Sequence, residues 1–212
     1  GHKGLTSFGK EVIKRMNKLG IIVDISHVGD ATFWDAIHTT TKPVIASHSD
    51  AYGINPVSRN LKDDQIKAIG KNGGVINLNF FSGFVDSNFN RKNSAFRNKH
   101  KVELDSLLAT GIQQEYAQGI LADKYKKESD AIKPDIEVLM KHFDYIVKLI
   151  GVDHVGIGSD FDGIDSAPLQ LKTVLDYPEF TKALIKRGYK DADIEKVLGG
   201  NFLRVYRANN PN

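Results

Sequence analysis

Cysteine is absent from the 212 residues. That excludes disulfides, zinc-thiolate sites and thiol nucleophiles, so any metal must be held by His, Asp or Glu. No apolar run approaches the roughly 18 residues of a membrane span, and the opening GHKGLTSFGK has no signal-peptide apolar region, so a soluble chain is expected. No block of one charge sign stands out: 29 basic and 26 acidic residues are scattered along the chain for a net charge of +3. Neither nucleic acid nor a membrane surface is therefore an expected partner. Low-complexity segments and linkers are missing too. A composition of 41% hydrophobic and 26% charged residues suits one domain, 1–212, with a sizeable core.

What is present is a repeated pattern. The apolar, β-branched run 21–26 ends in Ser26-His27, and the run 43–47 ends in Ser47-His48. Runs of this kind, 75–81 and 154–158 included, predict four strands separated by helices, which is the signature of a parallel α/β sheet. The helix before the first strand is expected to start at Thr6, to bury Phe8, Val12, Met16 and Leu19, and to stop at Gly20. Asp30 is expected to cap the next, Asp63 opens another, and Pro134 one more. Segment 82–101 reads as polar and irregular, and 102–126 as helical, with Leu104, Leu107, Leu108, Ile112, Tyr116 and Ile120 on its apolar side. Together they suggest an outer insertion over 86–133. The tail, 177–187 and 191–206, reads as helical. No glycine-rich phosphate loop follows the first strand, and polar residues end all four, which favours part of a TIM-type (β/α)8 barrel over an open doubly wound sheet.

Chemistry is expected at those strand ends. A lone histidine after a strand is more often structural, but two at equivalent positions can converge on one ion. Asp160 and Asp162 in GSDFDG, two residues apart, offer carboxylates for metal or proton transfer, with helix capping as the plainer alternative. The segment is too short of ligands for a calcium loop. Arg59 could present a fork to a carboxylate, though spacing alone favours a surface arginine. Asp24 either orients a ligand or is a structural carboxylate. His38, His100, His142 and His154 read as structural or solvated.

Taken in order, GLTSFGKEVIKRMNKLGIIVDISH, PVIASHSDAY, SRN, GVINLNF, VGIGSDFDG and LGGNFLRVY resemble the membrane (renal) dipeptidase family of zinc peptidases. The resemblance runs through almost the whole chain and is weakest across 86–133. It implies a β/α-barrel exopeptidase in which two bridged zinc ions and an activated water cleave dipeptides, including those with a carboxyl-terminal D-residue. By motif, it implies that His27 and His48 bind zinc, that Arg59 holds the substrate carboxylate, and that Asp160 handles proton transfer. The family's His-x-Asp pair, bridging Glu and further substrate-binding histidine have no counterpart here, and His2 does not supply that pair. The chain then corresponds to strands five to eight, holds the ligands of one of the two metals, and is expected to be inactive alone. It is expected to associate with the missing barrel half or with another copy of itself. The alternatives are a non-catalytic interaction fragment, or a related barrel amidohydrolase with another substrate.

Overall fold

The computed structural model describes residues 3–210. Twelve α-helices are described there: α1 (Ser7–Leu19), α2 (Asp30–Thr39), α3 (Asp63–Asn72), α4 (Ser82–Val85), α5 (Phe89–Lys99), α6 (Lys101–Ala109), α7 (Gln114–Lys124), α8 (Lys126–Ile132), α9 (Ile136–Ile150), α10 (Tyr177–Lys186), α11 (Asp191–Glu195) and α12 (Asn201–Asn209). Between them run three strands, β1 (Ile45–Ala46), β2 (Val75–Asn79) and β3 (Val155–Ser159), ordered β1-β2-β3 and parallel throughout. A parallel sheet with helical crossovers makes this an α/β fold, and the arrangement fits part of a barrel.

The expected first strand, 21–26, is reduced to one bridge, Asp24 to Ile45. Its backbone still pairs, through Ile25 N to Ile45 O at 2.8 Å and Ile45 N to Val23 O at 3.0 Å. The ladder stops because Asp24 Oδ1 accepts from Ser26 N at 3.0 Å, which turns the chain at once. Asp24 is exposed rather than inside a buried strand, while its neighbours Val23 and Ile25 are buried. The other three strands lie where the apolar runs put them, within two residues at each end.

The core is filled by Val44, Ala46, Ile76, Leu78 and Val155 of the sheet region against Ile66 and Ile69 of α3, Leu139, Phe143 and Ile146 of α9, and Phe180 and Leu184 of α10. Thr6 caps α1 by accepting from Gly9 N, and Gly20 ends it in the left-handed conformation at φ 73°. Of the four residues expected to be buried on α1, only Met16 packs against the core. Phe8, Val12 and Leu19 are 77%, 40% and 54% exposed, and Ile13 is the buried residue. Asp30 does not cap α2 from outside; it is the first helical residue, and its carboxylate bonds Lys62 and Gln65 of the neighbouring turn.

The segment expected to be irregular, 82–101, is helical over α4 and α5. Its apolar stripe is Phe89 and Phe96 with Asn93 between them, so a polar residue at the middle contact hid the helical period. In α7 the packed residues are Ala117, Gln118 and Leu121, whereas Tyr116 and Ile120 point outward. After β3 the chain returns through α10 and α11. A π-type turn over Lys196–Gly200 then leads into α12, where Asn201 Nδ2 donates to Val152 O at 2.7 Å and Val155 O at 2.8 Å. That bond pair ties the last helix to the start of β3.

Candidate metal and substrate site

The segment after Asp24, β1 and β3 each end in a polar turn, and those ends share one rim. His27 and His48 meet there, with Nε2 atoms 2.7 Å apart and ring centroids 4.8 Å apart. Arg59, half-buried in the loop before α3, sends its Nη2 toward His48 O at 3.4 Å and stacks over Phe84, 5.3 Å from the ring centroid. Asp160 stands at the end of β3, where Asn79 Nδ2 donates to its Oδ2 at 3.1 Å. His27, His48, Arg59 and Asp160, the four positions that the family motifs single out, are thus drawn into one neighbourhood. Asp162 is not; it is exposed one turn further on. His2 lies outside the described residues.

Backbone conformation marks the same places. Among the described residues, His27 (φ 65°), Ser159 (φ 42°) and Asp160 (φ 71°) are the non-glycine positions with positive φ. Each such conformation costs of order 1–3 kcal/mol and is kept where the surroundings over-determine it. Close approach is secured by Gly158, because a Cβ there would collide with the carbonyl oxygen of Ser47 and crowd the His48 backbone.

The electrostatics are those of a crowded basic and acidic rim. Burial, the Arg59 charge and the neighbouring His48 push the His27 imidazole below its usual pKa, so it favours the neutral form that a metal takes. Burial also lowers the Arg59 pKa, while Asp160, Asp50 and Asp24 oppose that shift; guanidinium nevertheless stays charged.

Two imidazole Nε2 atoms facing each other can supply two donors to a divalent metal. Among the described residues, however, no group of three or more His, Cys, Asp or Glu side chains is gathered closely enough to hold a metal. The donors present fit part of such a site and do not complete one.

Three contributors went unnoticed in the sequence. Asn79 holds Asp160; the polar end of the VINLN run was its visible sign. Ser47 bonds both Asp24 and His48, at 2.5 and 2.7 Å. Asp50, two residues after His48, is fully buried, and burial raises its pKa well above the usual carboxylate range against the lowering pull of the Asn79 backbone N–H and of Arg59. His142, expected to be structural or solvated, is buried, and it links Ala51 N to Val85 O.

A parallel sheet whose strand ends bring imidazoles, a carboxylate and a guanidinium to one rim is the pattern of metal-assisted hydrolases of the α/β class. The chain belongs to the membrane dipeptidase family: the profile of that family, peptidase family M19, matches residues 1–211. An uncharacterized dipeptidase of Schizosaccharomyces pombe is 34% identical over 206 residues, covering 97% of this chain and 40% of that protein. A metallo peptidase from Rhodobacter sphaeroides, solved with a phosphinate mimic of the dipeptide L-Ala-D-Ala, superposes with a TM-score of 0.75 at 25% identity, covering 98% of this chain and 48% of that one. The probable dipeptidase PvdM from Pseudomonas aeruginosa superposes with a TM-score of 0.75 at 30% identity, covering 98% and 55%. The chain spans about half the length of these relatives. Among the described residues no helix is long and apolar enough to cross a membrane.

Proposed function

We propose that this chain carries one half of the site of a zinc-dependent dipeptidase, within part of a (β/α)8 barrel that supplies strands five to eight. The observation that carries the proposal is the convergence of His27 and His48 through their Nε2 atoms at 2.7 Å, delivered by equivalent Ser-His turns. Zinc, when bound, would polarise the scissile carbonyl and activate water. Arg59 would take the substrate's free carboxylate on its two-nitrogen edge, which makes the reaction an exopeptidase cleavage. Asp160, with Oδ2 tied to Asn79, keeps Oδ1 free to accept a proton from the attacking water and pass it to the leaving amine. The dipeptide mimic bound to the Rhodobacter sphaeroides relative favours a dipeptide over another amide as substrate.

Replacing Arg59 by Ala in a longer, zinc-loaded chain that includes this segment should raise KM for dipeptides by about 10- to 100-fold, the cost of a charge-assisted hydrogen bond, with a smaller change in kcat. Steady-state kinetics with a dipeptide and with its carboxyl-terminal amide decide it; an unchanged KM removes Arg59 from the site.

On this proposal the 212 residues alone lack the remaining ligands and are inactive. The exposed Phe8, Val12 and Leu19 of α1, with Phe202, Leu203 and Tyr206 of α12, leave apolar surface that the rest of a barrel or a second copy would cover. Light scattering should find the isolated 23.5 kDa chain associated. A stable monomer that hydrolyses dipeptides would overturn both statements.

A further inference from the structure

A histidine can present Nε2 to a metal only if its ring proton sits on Nδ1. Around His48 the hydrogen bonds account for that proton. Asp24 is an acceptor held by three donors: its Oδ1 takes Ser26 N at 3.0 Å and Ser47 N at 3.1 Å, and its Oδ2 takes the Ser47 hydroxyl at 2.5 Å. A serine hydroxyl has one hydrogen, and here the carboxylate receives it. Ser47 Oγ also lies 2.7 Å from His48 Nδ1, so that bond must run the other way, with Nδ1–H donating to the serine oxygen. The His48 Nε2 lone pair is then bare, and in the metal-free chain it accepts from His27 Nε2–H at 2.7 Å.

The geometry points to an Asp24–Ser47 relay as the device that fixes the His48 tautomer and thereby readies Nε2 for the metal. Asp24 and Ser47 are positioning residues; they touch the metal only through His48. Asp24 sits between the two Ser-His turns, receiving an N–H from each, so the same carboxylate also holds the two histidine-bearing segments in register. The inference rests on His48 being a ligand, but the proton placement itself holds without any metal.

The test is a long-range proton–nitrogen correlation spectrum of the metal-free chain, taken above the imidazole titration range, which distinguishes a protonated from a bare ring nitrogen. His48 should show Nδ1 protonated and Nε2 bare. His142 provides the opposite case in the same spectrum: its Nδ1 accepts from Ala51 N and its Nε2 donates to Val85 O, so an unchanged His142 pattern reports an intact fold in every variant. Ser47→Ala should release His48 to a mixture in which Nε2–H predominates, and Ser47→Thr should restore the original state. Asp24→Asn should invert the relay: the new amide donates to Ser47 Oγ, the hydroxyl turns to donate to His48 Nδ1, and the proton moves to Nε2. A role limited to packing would move none of these. A wild-type His48 protonated on Nε2, or an Asp24→Asn spectrum with His48 unchanged, overturns the relay. Zinc affinity by chelator competition should fall about 10- to 100-fold in Ser47→Ala and Asp24→Asn. If His48→Ala binds zinc as tightly as wild type, the ligand role fails while the tautomer result stands, so the two failures are separable.

Discussion

Acidification from neutrality to pH about 4 should cost the fold about 3 kcal/mol through His142 alone. His142 is fully buried on α9, and burial depresses its pKa from 6.5 to about 4, only partly offset by its bond to Val85 O. The unfolded chain therefore takes up the proton first. Stability from this residue is complete above the unfolded pKa of about 6.5 and is lost as pH falls through 6.5 toward the folded value. The neutral ring also joins the turn after His48 to the end of α4, since Ala51 N donates to Nδ1 at 3.1 Å and Nε2 donates to Val85 O at 2.9 Å. Protonation adds a hydrogen to Nδ1, where the backbone N–H now points, and so breaks the first bond. Denaturant unfolding at a series of pH values should show a slope over this window that disappears in His142→Gln. Equal slopes in the two proteins would place the acid lability elsewhere.

Asp160→Asn, in a longer zinc-loaded chain containing this segment, should lower kcat by about 10²- to 10⁴-fold and leave KM for dipeptides close to its original value. Asparagine is the informative replacement. It tolerates the left-handed backbone at φ 71°, and its amide oxygen can keep the bond from Asn79 Nδ2, so what is removed is the capacity to take a proton. Alanine at the same position would add backbone strain and confuse the result. Single-turnover kinetics separate chemistry from product release. A variant that keeps wild-type turnover would deny Asp160 its proton-transfer role.

The convergence of the two histidines was legible because each ends an apolar run at an equivalent place, and β1, β2 and β3 because β-branched residues cluster where parallel pairing buries both faces. Arg59 was not legible from spacing; only the family motif distinguished it from an ordinary surface arginine, and the structure now sets it beside His48. For Asp24 the sequence shows a carboxylate in a strand-like run, not that it turns back to bond Ser26 N and Ser47, so it does not decide between an orienting and a structural role. The exposure of Phe8, Val12 and Leu19 could not be read either. Helical periodicity identifies an apolar stripe, but which surface covers it depends on what else the helix meets. The same limit explains α5, where Asn93 occupies a contact that periodicity reserves for an apolar residue.

The left-handed backbone at His27 and Asp160 sets the demands of folding and of chemistry against each other. Selection on stability alone would place glycine at both positions, since glycine adopts that conformation without steric cost. An imidazole and a carboxylate stand there instead. If His27 and Asp160 have the roles proposed above, a screen of this chain for heat resistance should recover substitutions at 27 and 160 that make a sturdier protein with nothing to offer a metal or a substrate, and thermostability alone would be a misleading guide to improving it.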